Sequence, residues 1–247
     1  MTRLRFIASL SVLMLSAFAI LYSVPNITAA GGGKVTGTIK LDGQPAHQRA
    51  IDMSKDPVCS KAHEGKPVTT ENVVVGPNNG LANVVVYISQ GLPESAANQA
   101  PSEPAAIDQK GCVYQPHIVA LNVNQHMKVI TDDPTAHNIH PMPAAGGGNI
   151  GWNKSQPPGS PPFDVTWKAE EIAIPVKCNI HPWMHSYIAV VKGPFGVSNG
   201  SGAFSIENVP PGTYTLTAWH EIYGTQTQKI TVAAGKPVTA DFSFKAK

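Results

Sequence analysis

Apolar and polar residues alternate in short runs along most of the chain, and few stretches repeat at a helical period. A period of two puts successive side chains on opposite faces of a strand. Residues 34–41 (KVTGTIKL) alternate cleanly and stop at the turn pair Asp42-Gly43, which predicts a strand and a turn. Residues 45–70 show no period and predict a long loop. Residues 72–75 and 83–88 are rich in β-branched side chains and flank the turn Pro77-Asn78-Asn79-Gly80. Residues 92–106, rich in Pro, Ala, Ser and Asn, predict a surface connection.

Further along, Val119, Leu121 and Val123 alternate, Asn124-Gln125 turns, and residues 126–131 predict a returning strand that carries His137 to a loop at its end. Residues 141–162 hold many Pro and Gly and almost nothing that forms a core. Loops of that length are often functional. Residues 163–167 and 171–176 predict strands leading into Cys178, and 186–191 a strand leading out. Beyond Phe195, turns at Asn199-Gly200-Ser201-Gly202 and Val209-Pro210-Pro211-Gly212 bound strands at 203–206 and 213–219. Strands at 227–232 and 239–244 complete an all-β pattern.

Composition narrows the class. The chain has 247 residues, room for one or two domains, with 22 Gly and 22 Pro in keeping with short strands and turns. A net charge of +2 shows no nucleic-acid footprint. Arg3 and Arg5 precede an apolar run at residues 6–22, and small residues follow at Thr28-Ala29-Ala30. This reads as an export signal, residues 1–30, cut after Ala30. An uncleaved anchor is the alternative, and the only membrane attachment expected. Either reading places the body in the periplasm or outside a bacterial cell. In such an oxidising compartment Cys59 and Cys112 are expected to pair as a disulfide. Their spacing to His63 and His117 leaves a structural zinc site as the alternative.

The third cysteine sits in Cys178-Asn179-Ile180-His181-Pro182-Trp183-Met184. A thiolate, an imidazole and a thioether at these spacings can close around one small ion, and this donor set suits copper in electron transfer. A second imidazole must come from elsewhere, and Thr135-Ala136-His137-Asn138-Ile139-His140 offers it. Taken singly, Cys178 reads as a buried small hydrophobe, Met184 as core filler and His137 as a turn residue. Their joint spacing behind an export signal favours a metal site.

AHNIH together with CNIHPWM resembles the cupredoxins, blue-copper β-barrels, and the C-x2-H-x2-M spacing is most similar to the short-loop amicyanin type. The resemblance covers roughly residues 112–191. It implies a Greek-key β-barrel or sandwich, one type 1 copper, and ligand roles for His137, Cys178, His181 and Met184. It also implies a hydrogen bond from the Asn138 backbone to the Cys178 sulfur. Lys177 departs from the family, which usually has an aromatic residue there. His140 is the alternative to His137 as ligand. His185 should point away from the metal, and one or both of His140 and His185 are expected near the surface, in contact with a partner. The run GSGAFSIENVPPGTYTLTAWH with TQKITVAAGKPVTADFSF resembles the carboxypeptidase regulatory-like domain, a small transthyretin-like β-sandwich. The opening strand of that domain resembles residues 35–39, far upstream. The expected plan is therefore a signal at 1–30, N-terminal strands and loop at 31–110, a copper domain at 111–193 and a sandwich at 194–247, with the first strand completing the last domain.

These readings imply an exported type 1 copper protein that transfers electrons to or from a redox protein such as a cytochrome or dehydrogenase. They imply no enzyme: the chain lacks the His-Cys-His segments of multicopper oxidases, and its expected mature end is Gly rather than His. The alternatives are an extracellular binding or adhesion module, with Trp152, Trp219 and Tyr223 as candidate carbohydrate-stacking residues, and a copper storage or delivery protein.

Overall fold

The computed structural model describes residues 32–45, 47–97 and 99–246. The segment read as an export signal, 1–30, lies outside them. Among the described residues no helix is long and apolar enough to cross a membrane.

Strand-like alternation becomes strand nearly everywhere it was read. In chain order the elements are β1 (Gly33–Asp42), α1 (Pro57–Ala62), β2 (Val85–Gln90), α2 (Glu94–Ala97), β3 (Ala105–Lys110), β4 (Val113–Gln115), β5 (Ile118–Asn122) and β6 (His126–Thr131). Then come β7 (His137–Pro141), β8 (Lys154–Gln156), β9 (Phe163–Thr166), β10 (Glu171–Lys177), β11 (His185–Val191) and β12 (Phe195–Val197). The last are β13 (Ala203–Val209), β14 (Gly212–His220), β15 (Gly224–Val232), β16 (Pro237–Thr239) and β17 (Phe242–Lys245). The chain is all-β in architecture, built as two sandwiches.

The first sandwich draws on both ends of the chain. One sheet runs β13-β1-β16, with β17 also on β1, and the other runs β12-β2-β14-β15. β1 pairs antiparallel with β13 (Val35 opposite Ile206) and parallel with β16 and then β17 (Ile39 opposite Phe242). Gly37 stands where β16 hands over to β17, and a Cβ there would lie 2.0 Å from the Ala240 carbonyl oxygen. Val35, Ile39 and Leu41 are fully buried and meet Val86, Leu216 and Phe244 in one core. That burial of apolar surface is what holds a distant N-terminal strand to the C-terminal segment.

The second sandwich lies between these pieces in sequence. Its sheets run β5-β11-β10-β7-β8 and β4-β3-β6-β9. Ile107, Val119, Leu121, Val129, Ile139, Ile174 and Ile188 fill its core. The outer faces of the two sandwiches meet at Val85, Ile118 and Ala189, where the Tyr187 and Trp219 rings contact edge-on at 5.6 Å.

Several expectations need correction. The boundary expected between residues 110 and 111 separates two paired strands, β3 and β4 (Asp108 opposite Gln115). β2 belongs to the first sandwich and β3 to the second, so residues 31–110 are divided between them. β3 escaped the pattern because Gln109 takes an inward position. It is fully buried, and its Nε2 donates to Ile130 O at 3.0 Å and to Gln156 Oε1 at 2.6 Å. His137 opens strand β7 rather than a loop, and β8 lies within the segment read as irregular. Residues 72–75 form no strand, only a bridge between Val75 and Leu81.

Because β1 and β2 supply strands to the first sandwich, residues 194–247 expressed alone are expected to show no cooperative thermal unfolding by circular dichroism. In the full chain, Ile39→Ala is expected to cost about 2–5 kcal/mol in denaturant unfolding.

Candidate metal centre

The hairpin of β10 and β11 ends its ladder at Lys177 opposite His185, leaving residues 178–184 as the connecting loop. The loop is tight. Cys178 N donates to Met184 O at 3.2 Å, and Met184 N donates to His181 O at 2.9 Å. On the other side of β10 lies β7, with His140 opposite Lys177. The sheet therefore brings the start of β7 against the loop. The donor atoms of His137, Cys178 and His181 all lie within 4.8 Å of one another.

The orientation of the imidazoles is specific. His137 Nε2 contacts Asp133 Oδ2 at 2.8 Å, and His181 Nε2 contacts Asp56 Oδ2 at 3.0 Å. Each carboxylate is an acceptor, so each Nε2 carries a proton. The two Nδ1 atoms are left to face each other at 2.9 Å. Two imidazole lone pairs that close repel unless a proton or a metal ion lies between them. A carboxylate behind each histidine is the support that metal-bound imidazoles commonly receive.

Electrostatics agree with that geometry. Burial opposes a charge on His137, but the bonds to Asp133 and Cys178 outweigh it and raise its pKa to about 9. Burial also disfavours the Cys178 thiolate. The His137 bond and the backbone N–H groups of Asn138, His181 and Ile180 overcome it and lower the thiol's pKa. Asp133 is lowered despite its burial, through His137 and the Cys112 and Gly111 N–H groups. The pocket is one that stabilises positive charge between two nitrogens and a sulfur.

Around the sulfur, His181 N donates to Cys178 Sγ at 3.3 Å, and the thiol lies 3.3 Å from Asn138 Oδ1. Asn138 is fixed in turn. Its Oδ1 accepts from Asn179 N at 2.7 Å, its Nδ2 donates to Asn153 Oδ1 at 2.7 Å, and its carbonyl accepts from Tyr114. Met184 is 1% exposed and packs in the same apolar cluster as Cys178.

Asp56 and Asp133 were not picked out from sequence. Asp56 caps α1: its Oδ1 accepts from Val58 N and Cys59 N, which frees Oδ2 for His181. The pair Asp56-Pro57 is a helix-start signal that could have been read. Asp133 accepts from Gly111 N at 2.6 Å and Cys112 N at 2.7 Å. Cys59 and Cys112, whose N–H groups bond these two carboxylates, are joined as a disulfide. The bridge thus ties together the two segments that steady the histidines.

The remaining candidates lie elsewhere. His140 is half-buried and contacts Asn179 Oδ1 at 3.2 Å, outside the His137–Cys178–His181 cluster. His185 also stands apart from that cluster and is half-buried. Its Nε2 is buried, and its ring meets His117 edge-on. Trp152 packs on Phe163, and Tyr223 stacks on His220.

Comparison with known proteins adds the following. Residues 194–245 match the family model described as the carboxypeptidase regulatory-like domain. No curated protein sequence matches the chain. Among solved structures, the chain is similar to a purple cupredoxin from Nitrosopumilus maritimus, at 20% identity and a TM-score of 0.29, over 35% of this chain and 98% of that one. It is similar to a proline-to-alanine mutant of amicyanin in its oxidised state, at 20% identity and a TM-score of 0.31, over 42% of this chain and 97% of that one. It is also similar to a copper-containing nitrite reductase from Thermus scotoductus at 15% identity and a TM-score of 0.33, spanning 27% of that enzyme and 42% of this chain.

Replacing Cys59 and Cys112 together by Ala is expected to cost about 2–4 kcal/mol in denaturant unfolding. Asp133→Asn is expected to cost about 1–3 kcal/mol by the same measurement, because it sets an amide N–H against a backbone donor in a buried position. The more exposed Asp56→Asn should cost less.

Proposed function

We propose that this chain is an exported type 1 copper protein that carries single electrons, with one copper ion held by His137, Cys178, His181 and Met184. The observation that carries the reading is the pair of facing Nδ1 atoms beside Cys178, each imidazole pinned from behind by a carboxylate. When bound, copper supplies a one-electron couple. The residues supply the rest. Cys178 and the two imidazoles give a soft and borderline donor set that copper accepts in both oxidation states. Met184, buried in the same apolar cluster as Cys178 and bonded through its backbone to Cys178 and His181, would offer its thioether as a weak further donor.

Rigidity supports transfer over catalysis. His137, His181, Cys178 and Met184 are at most 3% exposed, which leaves no open face for a substrate. The carboxylates, Asn138 and the hairpin hold the donors in one arrangement, so a change of charge demands little movement. Ile180, 48% exposed, belongs to the same loop and gives a redox partner an apolar surface close to the site. An exported address rests on the N-terminal pattern and is in keeping with the disulfide. The regulatory-like segment shares the first sandwich with β1, and we assign it a structural role.

The oxidised, copper-loaded full chain is expected to show an intense visible charge-transfer band that Cys178→Ser abolishes. A colourless protein with oxidised copper bound would overturn the reading. In voltammetry, Met184→Gln should keep copper and lower the reduction potential, since a harder oxygen donor favours the oxidised ion. His185→Ala should shift the potential less than Met184→Gln does.

A further inference from the structure

We infer that His117, His185 and Glu221 form a second metal site, for a zinc-class divalent cation, at the seam between the two sandwiches. Their donor atoms lie within 4.8 Å of one another, and none of them belongs to the proposed copper set. His117 stands just before β5 and His185 opens β11, both in the second sandwich. Glu221 lies in the turn between β14 and β15, in the first.

Burial makes the cluster unusual. The side chains of His117 and Glu221 are 4% and 3% exposed, and they contact each other through Nε2 and Oε1. Among the described contacts, the other Glu221 oxygen has only Asn72 Nδ2, at 3.5 Å. A carboxylate this buried needs compensating positive charge. Glu71 brings a second carboxylate to within 4.0 Å of His117 Nδ1.

His185 supplies the independent observation. Its Nδ1 lies 3.1 Å from the Trp183 carbonyl oxygen, which can only accept, so Nδ1 carries the proton. That fixes the neutral tautomer with the Nε2 lone pair free. Nε2 is buried and has no hydrogen-bond partner. A His117–Glu221 pair alone leaves this lone pair unexplained. A cation among the three groups uses it, and the Trp183 carbonyl is then the backbone acceptor that orients a ligating histidine. Two imidazoles and one carboxylate are the protein ligands of zinc sites that keep a further position open. A cavity of about 170 Å³, lined by Glu71, Tyr114, His117, Trp183 and His185 among others, adjoins the cluster and gives that position room for water. The ion would join elements of both sandwiches, one residue away from Met184.

The test is native mass spectrometry of the full chain titrated with zinc sulfate. The wild type is expected to take up two zinc ions, one in each cluster. His185→Ala and Glu221→Gln should each leave one ion, with affinity at the lost site weakened more than about tenfold. Cys178→Ser separates the two centres: it should weaken the ion in the cysteine cluster and leave the ion at His117, His185 and Glu221. As a second readout, the imidazole nitrogen resonances of His117 and His185 should shift on zinc addition in both wild type and Cys178→Ser. A Cys178→Ser protein that takes up no zinc, or persistence of the second ion in both His185→Ala and Glu221→Gln, would overturn the inference. Neither result bears on the copper reading, which is tested by the colour lost with Cys178.

Discussion

Two imidazole nitrogens held face to face at 2.9 Å are the constraint around which this chain is arranged. The contact is repulsive unless positive charge sits between the lone pairs, so the fold must hold both rings firmly. Asp133 and Asp56 do this from behind. Asp133 is itself held by the Gly111 and Cys112 N–H groups, and Asp56 by the first turn of α1. The Cys59–Cys112 bridge then couples those two supports. Each layer exists to keep the one inside it in place, and the outermost is covalent.

The two sandwiches contribute differently. The second provides neighbouring strands β7, β10 and β11, whose ends bring His137 and the loop of Cys178 together. The first closes chain ends that are far apart in sequence, with β1 laid between β13 and the β16–β17 segment. Their apolar seam at Val85, Ile118 and Ala189 continues towards the buried cluster of His117, His185 and Glu221. A seam that changes from apolar to ionisable along its length is a place where an ion can add to packing.

Much of this was legible in sequence, for physical reasons. Clean alternation in residues 34–41 predicted a strand that formed, because a period of two is enforced by burial of one face. The nearness of Cys178 and His181 was legible because a short loop leaves few geometries. β3 was not legible, since buried Gln109 breaks the apolar alternation and its partners Ile130 and Gln156 are distant in sequence. Asp56 and Asp133 were missed for a related reason. A carboxylate beside a proline reads as a turn or cap, and only the tertiary fold directs it at a histidine. His185 was expected to point away from the metal because alternation turns it from Met184. It does turn away, and its half-buried ring meets His117 and leaves a buried Nε2 beside a second cluster.

The central claim is that His137, His181 and Cys178 share a single copper ion. X-ray absorption at the copper edge, on the full chain loaded with one equivalent of copper, tests it most directly. The predicted first shell holds two imidazole nitrogens and one short sulfur contact, with the sulfur absent in Cys178→Ser. A wild-type shell of nitrogen and oxygen alone, without sulfur, would contradict it.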